Sequence, residues 1–154
     1  MNRSLPSMVA ASLLLLSLVA TGCGDDDDAD GDGGPVAVDV WARPTAPGAE
    51  TAAFYFELGN GGTEADRLVD AESPACTSTM LHRSSMTDGV MSMQPATDDE
   101  LTVAPAGTVM FEPGGLHVMC MGLVDPLVEG ESVPLVLTFE TAGSLTLSAD
   151  VEDR

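Results

Sequence analysis

"SVPLVLTFETAGSLTLSADV", residues 132–151, decides the fold class. Val133, Leu135, Leu137 and Phe139 share one side of an extended chain, and Leu145, Leu147, Ala149 and Val151 repeat the alternation. A period of two predicts strands with one buried face. Upstream, "VAVDVWA" (36–42) and "TAAFYFEL" (51–58) read as further strands. The turn-rich "RPTAPGAE" separates them, and "GNGG" closes the second. "VAPAG" (103–107), "EPGG" (112–115) and "VEGE" (128–131) supply more turns. No stretch carries a long amphipathic helical period and no internal repeat is visible. The spacing predicts an all-β domain, a sandwich or Greek-key barrel of about 120 residues.

The 154 residues suffice for one domain, and the first 22 are not part of it. "MNRSLPSMVAASLLLLSLVATGC" has one early arginine, an apolar run from Met8 to Ala20 and small residues before Cys23. The run is short for a membrane span and has the pattern of a secretory signal. Its end resembles the bacterial lipobox, with Ala20 where leucine is usual, which makes Cys23 the expected lipidation site. "GDDDDADGDGGP" (24–35) cannot bury apolar area, and its like charges extend it. It lacks the spaced acidic pattern of a calcium loop. The expected organisation is a signal peptide over 1–22, a lipidated tether over 23–35 and a folded domain over 36–154. The expected location is outside the cytoplasm, at the outer face of the cytoplasmic membrane or in the periplasm.

The mature chain keeps all 25 acidic residues against four arginines and no lysine, a net charge near −21. That excludes nucleic acid as a partner and attraction to anionic headgroups, so any membrane link runs through the anchor. Serine-nucleophile motifs and phosphate-cradling loops are absent, and paired acids occur only in exposed runs, so no enzymatic activity is expected.

The informative region is residues 80–121. It holds both histidines, His82 and His117, and seven of the nine methionines. In "LHVMCMGL" (116–123) a strand sends His117, Met119 and Met121 to one face and Val118 and Cys120 to the other. In "DGVMSMQP" (88–95) Met91 and Met93 align in the same way. Methionine alone fills cores readily. Rows of thioethers beside imidazoles, however, suit Cu(I) over zinc, magnesium or calcium. Thioethers also need no deprotonation and survive where free thiols oxidise.

Here the sequence resembles a known family, the periplasmic copper chaperones called PCuAC. The likeness runs through "VWARPTAPGAETAAFYFEL", "GNGGTEADRLVDAESPA", "LHRSSMTDGVMSMQP", "VAPAGTVMFEPGGLHVM" and "GLVDPLVEGESVPLVLTFE". The family signature is a histidine, ten residues, a methionine, about twenty-one residues, then His-x-Met. In this chain His82 is followed by ten residues and Met93, then twenty-three residues precede His117 and Met119. The two additional residues are expected in the acidic "ATDDE" (96–100) turn. Met80 stands where the family usually has glutamate. The resemblance implies a cupredoxin-like fold and His82, Met93, His117 and Met119 as Cu(I) ligands. It also implies copper delivery to the CuA centre of cytochrome c oxidase, directly or with a thioredoxin-like copper protein. Met86, Met91 and Met121 stand between auxiliary donors and packing; Met110 and Trp41 read as core.

Cys76 and Cys120 form an even pair in an exported domain, which reads most simply as a disulfide. Free thiols are one alternative, and a blue-copper site using Cys120 is another. Two wider alternatives to a delivery protein also stand. One is copper storage or detoxification, and the other is a β-sandwich lipoprotein whose methionines merely pack.

Overall fold

The computed structural model describes residues 33–154; the signal segment, Cys23 and the tether up to residue 32 lie outside the described residues. Strands β1 (Pro35–Ala42), β2 (Thr51–Asn60), β3 (Asp66–Glu72), β4 (Cys76–Thr87) and β5 (Val90–Pro95) come first. A helical turn, α1 (Asp98–Leu101), precedes β6 (Thr102–Val103), β7 (Thr108–Phe111), β8 (Leu116–Leu123), β9 (Ser132–Phe139) and β10 (Gly143–Val151). The acidic "ATDDE" segment is thus a capped turn. Glu100 Oε2 accepts from the Thr97 N–H at 2.9 Å and from the Thr97 hydroxyl at 3.1 Å, and Glu100 pairs with Arg83 of β4.

The two runs that set the fold class pair antiparallel, with Leu135 opposite Leu147 and Val133 opposite Ala149. Strand order across the sheet is β5-β4-β8-β7-β2-β1-β10-β9-β3-β6. β2 is long enough to hold two neighbours: Phe56–Gly59 pair with β7, and Thr51–Phe54 pair with β8. Strands remote in this order also meet, β3 against β4 and β6 against β7, so the sheet curls and encloses one core. This is the expected all-β, cupredoxin-like architecture.

The core is built from alternate residues. Phe54, Phe56 and Leu58 of β2, Val118 and Cys120 of β8, and Leu135 and Leu137 of β9 are essentially inaccessible. Phe56 stacks on Phe111 with centroids 4.3 Å apart. Burying each such side chain contributes about 1.5–3 kcal/mol.

One core expectation is corrected and one holds. Met110 is exposed, because Phe111 faces inward and the alternation turns its neighbour outward. Trp41 is buried as expected, though outside the main core cluster. A bulge between Val38 and Trp41, with Asp39 at φ 54°, re-aims the end of β1. Trp41 therefore lies on Tyr55, centroids 4.7 Å apart, beneath the Arg154 guanidinium.

The structure joins Cys76 at the start of β4 to Cys120 in β8, with Cα atoms 5.4 Å apart. The bond spans 44 residues of sequence and cross-links the two strands that carry both histidines. Chain entropy puts its contribution at about 4 kcal/mol. Unreduced protein is expected to show no labelled thiol at either position. Denaturant unfolding with and without reductant is expected to differ by roughly that amount. Prompt labelling, or coincident unfolding curves, would contradict the cross-link.

Candidate metal centre

The candidate site grows from one register. β4 and β8 pair antiparallel with His82 opposite His117, Met80 opposite Met119 and Ser78 opposite Met121. Directly opposed residues share a face. β5 extends that face, with Met93 opposite Ser84 and Met91 opposite Met86. β2 extends it on the other side through Ala53, opposite Met119, and Thr51, opposite Met121. The intervening residues Leu81, Val118 and Cys120 pack toward the core. One outer sheet face therefore gathers both histidines and six of the methionines.

A cleft of about 410 Å³ opens on this face, lined in part by Met91, Met93, His117, Met119, Tyr55 and Arg43. No carboxylate is among its lining residues. Of the four expected ligands, the cleft brings together Met93, His117 and Met119, and it adds Met91. His82 is beside it, its ring edge-on to His117 with centroids 6.1 Å apart. Met86 and Met121 share the face without lining the cleft, and Met80 pairs with Met119 at its side.

The turn at 112–115 positions His117. Gly114 at φ 83° closes it, and the Gly115 N–H donates to the Glu112 carbonyl at 3.0 Å. The Gly115 carbonyl in turn accepts the Ser84 N–H of β4 at 2.9 Å and lies 3.2 Å from His117 Nδ1. With the proton on Nδ1 donating there, Nε2 keeps the free lone pair. His82 Nδ1 is buried and without a hydrogen-bond partner. Imidazole nitrogens and thioethers are both neutral donors of the kind that suit a soft cation. Among the described residues, no three His, Cys, Asp or Glu side chains cluster as a metal site. A soft-metal set here must therefore draw on the methionines.

Cys120 is fully buried in the core and bonded to Cys76, so among the described residues no thiolate faces the cleft. This removes the blue-copper alternative, which needs that thiolate. Sequence reasoning missed Tyr55, whose ring centroid lies 6.4 Å from that of His117, and Arg43 at the rim. The alternation in "TAAFYFEL", with Phe54 and Phe56 inward, was the available signal for Tyr55.

The family model described as "Putative lipoprotein LpqE-like" matches residues 36–151. The chain belongs to this LpqE-like family and carries a PCuAC domain. The apo PCuAC domain from PmoF1 superposes with a TM-score of 0.65 at 23% identity, covering 79% of this chain and 96% of that one. The copper-bound PCuAC domain from PmoF2 gives 0.64 at 25%, covering 79% and 95%. The solution structure of CuI-DR1885 from Deinococcus radiodurans gives 0.59 at 32%, covering 80% and 83%. A protein of Leifsonia xyli subsp. xyli described as "Putative lipoprotein Lxx21020" is 29% identical over 113 residues, 73% of this chain. The match spans 66% of that relative's length, just under two thirds.

In this PCuAC domain burial pushes the His117 imidazole below its ordinary value, and the neighbouring His82 adds to the effect. The Gly115 carbonyl opposes it. A lowered folded value means the unfolded chain binds the proton more tightly. The associated stability is present above the ordinary value and lost as pH falls through the folded one. In the metal-free protein the His117 ring, followed by NMR, is expected to titrate with a midpoint below 6.5. A midpoint above that value would contradict the buried, neutral ring.

Proposed function

We propose that this protein is an extracytoplasmic, lipid-anchored Cu(I) carrier in which His82, Met93, His117 and Met119 hold the ion. One observation supports this most: Met93, His117 and Met119 converge on a cleft without carboxylates, beside the orphaned Nδ1 of His82. Neutral nitrogen and sulfur donors leave a bound ion with its single positive charge, which favours Cu(I) over hard divalent ions. The copper-bound neighbours among the PCuAC domains support the same reading. Met93 is half exposed and Met119 partly so, which leaves the ion open to attack by an acceptor's ligands. Transfer then needs only ligand exchange, with no proton to move at sulfur.

The remaining assignments complete this proposal. Residues 1–22 direct export, Cys23 is lipidated, and the Asp/Gly segment to residue 35 holds the 36–154 domain off the bilayer. The lipoprotein description of the family supports the anchor. The acceptor is the CuA subunit of cytochrome c oxidase or a thioredoxin-like copper protein, and the carrier is not itself an enzyme.

Titration of Cu(I) against a competing chelator tests the site. One ion per chain is expected, with His117→Ala and Met119→Ala each weakening it at least about tenfold, the loss typical of disturbed metal shells. Unchanged affinity in both variants would overturn the ligand assignment. Mixing the loaded protein with an apo CuA domain tests delivery. Transfer is expected, and retention of the ion would point to sequestration.

A further inference from the structure

The four proposed ligands leave Met86 unused, and it is the most exposed methionine among the described residues, at 63%. It sits near the tip of the β4–β5 hairpin. Thr87 pairs with Val90 across Asp88 and Gly89, whose φ values of 52° and 80° are those of a tight two-residue turn. β5 is at the sheet edge and pairs only with β4 among the described residues. On one face of this hairpin Ser85 and Ser92 hydrogen-bond at 2.9 Å across the strands. On the other face Met86 stands directly opposite Met91.

Packing does not account for that pair. Met86, Met91 and Val90 are 63%, 58% and 68% exposed, so little apolar area is removed from water. Directly opposed residues place their Cβ atoms about 4.5–5.5 Å apart. Flexible thioether arms on such a pair can close on one ion from two sides. Met91 also lines the cleft with Met93, His117 and Met119. Successive same-face residues along a strand are about 6.6–6.8 Å apart. The sulfurs therefore form a series from the hairpin tip to the cleft.

We propose that Met86 and Met91 form a second, weaker thioether station for a soft monovalent cation. From it the ion passes to Met93 and then to His117 and Met119. This rests on the Cu(I) reading of the cleft. At each step bonds to the next sulfur or imidazole nitrogen form as bonds to the previous sulfurs break, and the ion keeps its charge and oxidation state. The gain in donors, from two sulfurs to a set with imidazoles, sets the inward direction for uptake. A competing acceptor that takes the ion at the tip reverses it.

Titration of the full-length protein with Ag(I), a redox-inert analogue of Cu(I), tests the station by NMR of ¹³C-methyl methionine. The first equivalent is expected to move the Met93 and Met119 methyls, and further Ag(I) to move Met86 and Met91 together. In Met86→Leu the second event is expected to vanish while first-equivalent binding is kept, because the leucine preserves volume at an exposed position. If Met86 and Met91 stay unmoved through several equivalents while Met93 and Met119 respond, the station is refuted and the cleft site stands alone. If no methionine methyl responds, the cleft assignment and the station fall together. Survival of the second event in Met86→Leu would also refute the pairing.

Discussion

The antiparallel register of β4 against β8 is the constraint on which the rest depends. It sets His82 against His117 and Met80 against Met119, while Leu81 and Val118 turn toward the core. A slip of one residue would send the imidazoles and thioethers inward and the apolar residues outward. Burial of Val118 and Cys120, both fully inaccessible, makes that slip costly. The donors of the outer face are thus held in place by neighbours that never touch a ligand. The Cys76–Cys120 bond and the Gly115 carbonyl, shared by Ser84 and His117, fasten the same two strands from either end.

Charge works at two ranges. The chain is strongly acidic, which attracts cations of every kind at long range and keeps the protein soluble. The cleft lining has no carboxylate and includes Arg43, so attraction is not what selects there. The other arginines of the described residues are occupied elsewhere. Arg67 pairs with Asp98 and Glu140, Arg83 with Glu100, and Arg154 with Asp39 and Glu152. With attraction screened over about 8 Å at physiological salt, selection in the proposed Cu(I) site would fall to ligand softness and coordination within the cleft.

The alternating runs of β9 and β10 were legible because a period of two is a local property, and every inward residue read there is buried or half-buried. The parity of His117 and Met119 against Val118 and Cys120 was legible for the same reason. Which strand would lie beside β8 was not. Its partners β4 and β2 come from distant parts of the chain, and long-range pairing leaves no mark in a short window. Met110 was misread as core because apolarity was weighed without register. It is turned out by Phe111, whereas Trp41 is buried as read and its surroundings are set by a bulge with Asp39 in the left-handed region.

The cysteines and the soft donors belong to one chemical argument. Outside the cytoplasm two nearby thiols oxidise, so a thiolate pair is a poor place to keep an exchangeable ion. In this chain the oxidation is put to structural use. Cys120 lies between Met119 and Met121 in sequence, faces the core and is bonded to Cys76. Alternation leaves the sulfurs that resist disulfide formation on the open face and the one that forms a bond on the closed face. A single strand can therefore supply a permanent cross-link on one face and, in the proposed copper site, labile ligands on the other, without either sulfur chemistry interfering with the other.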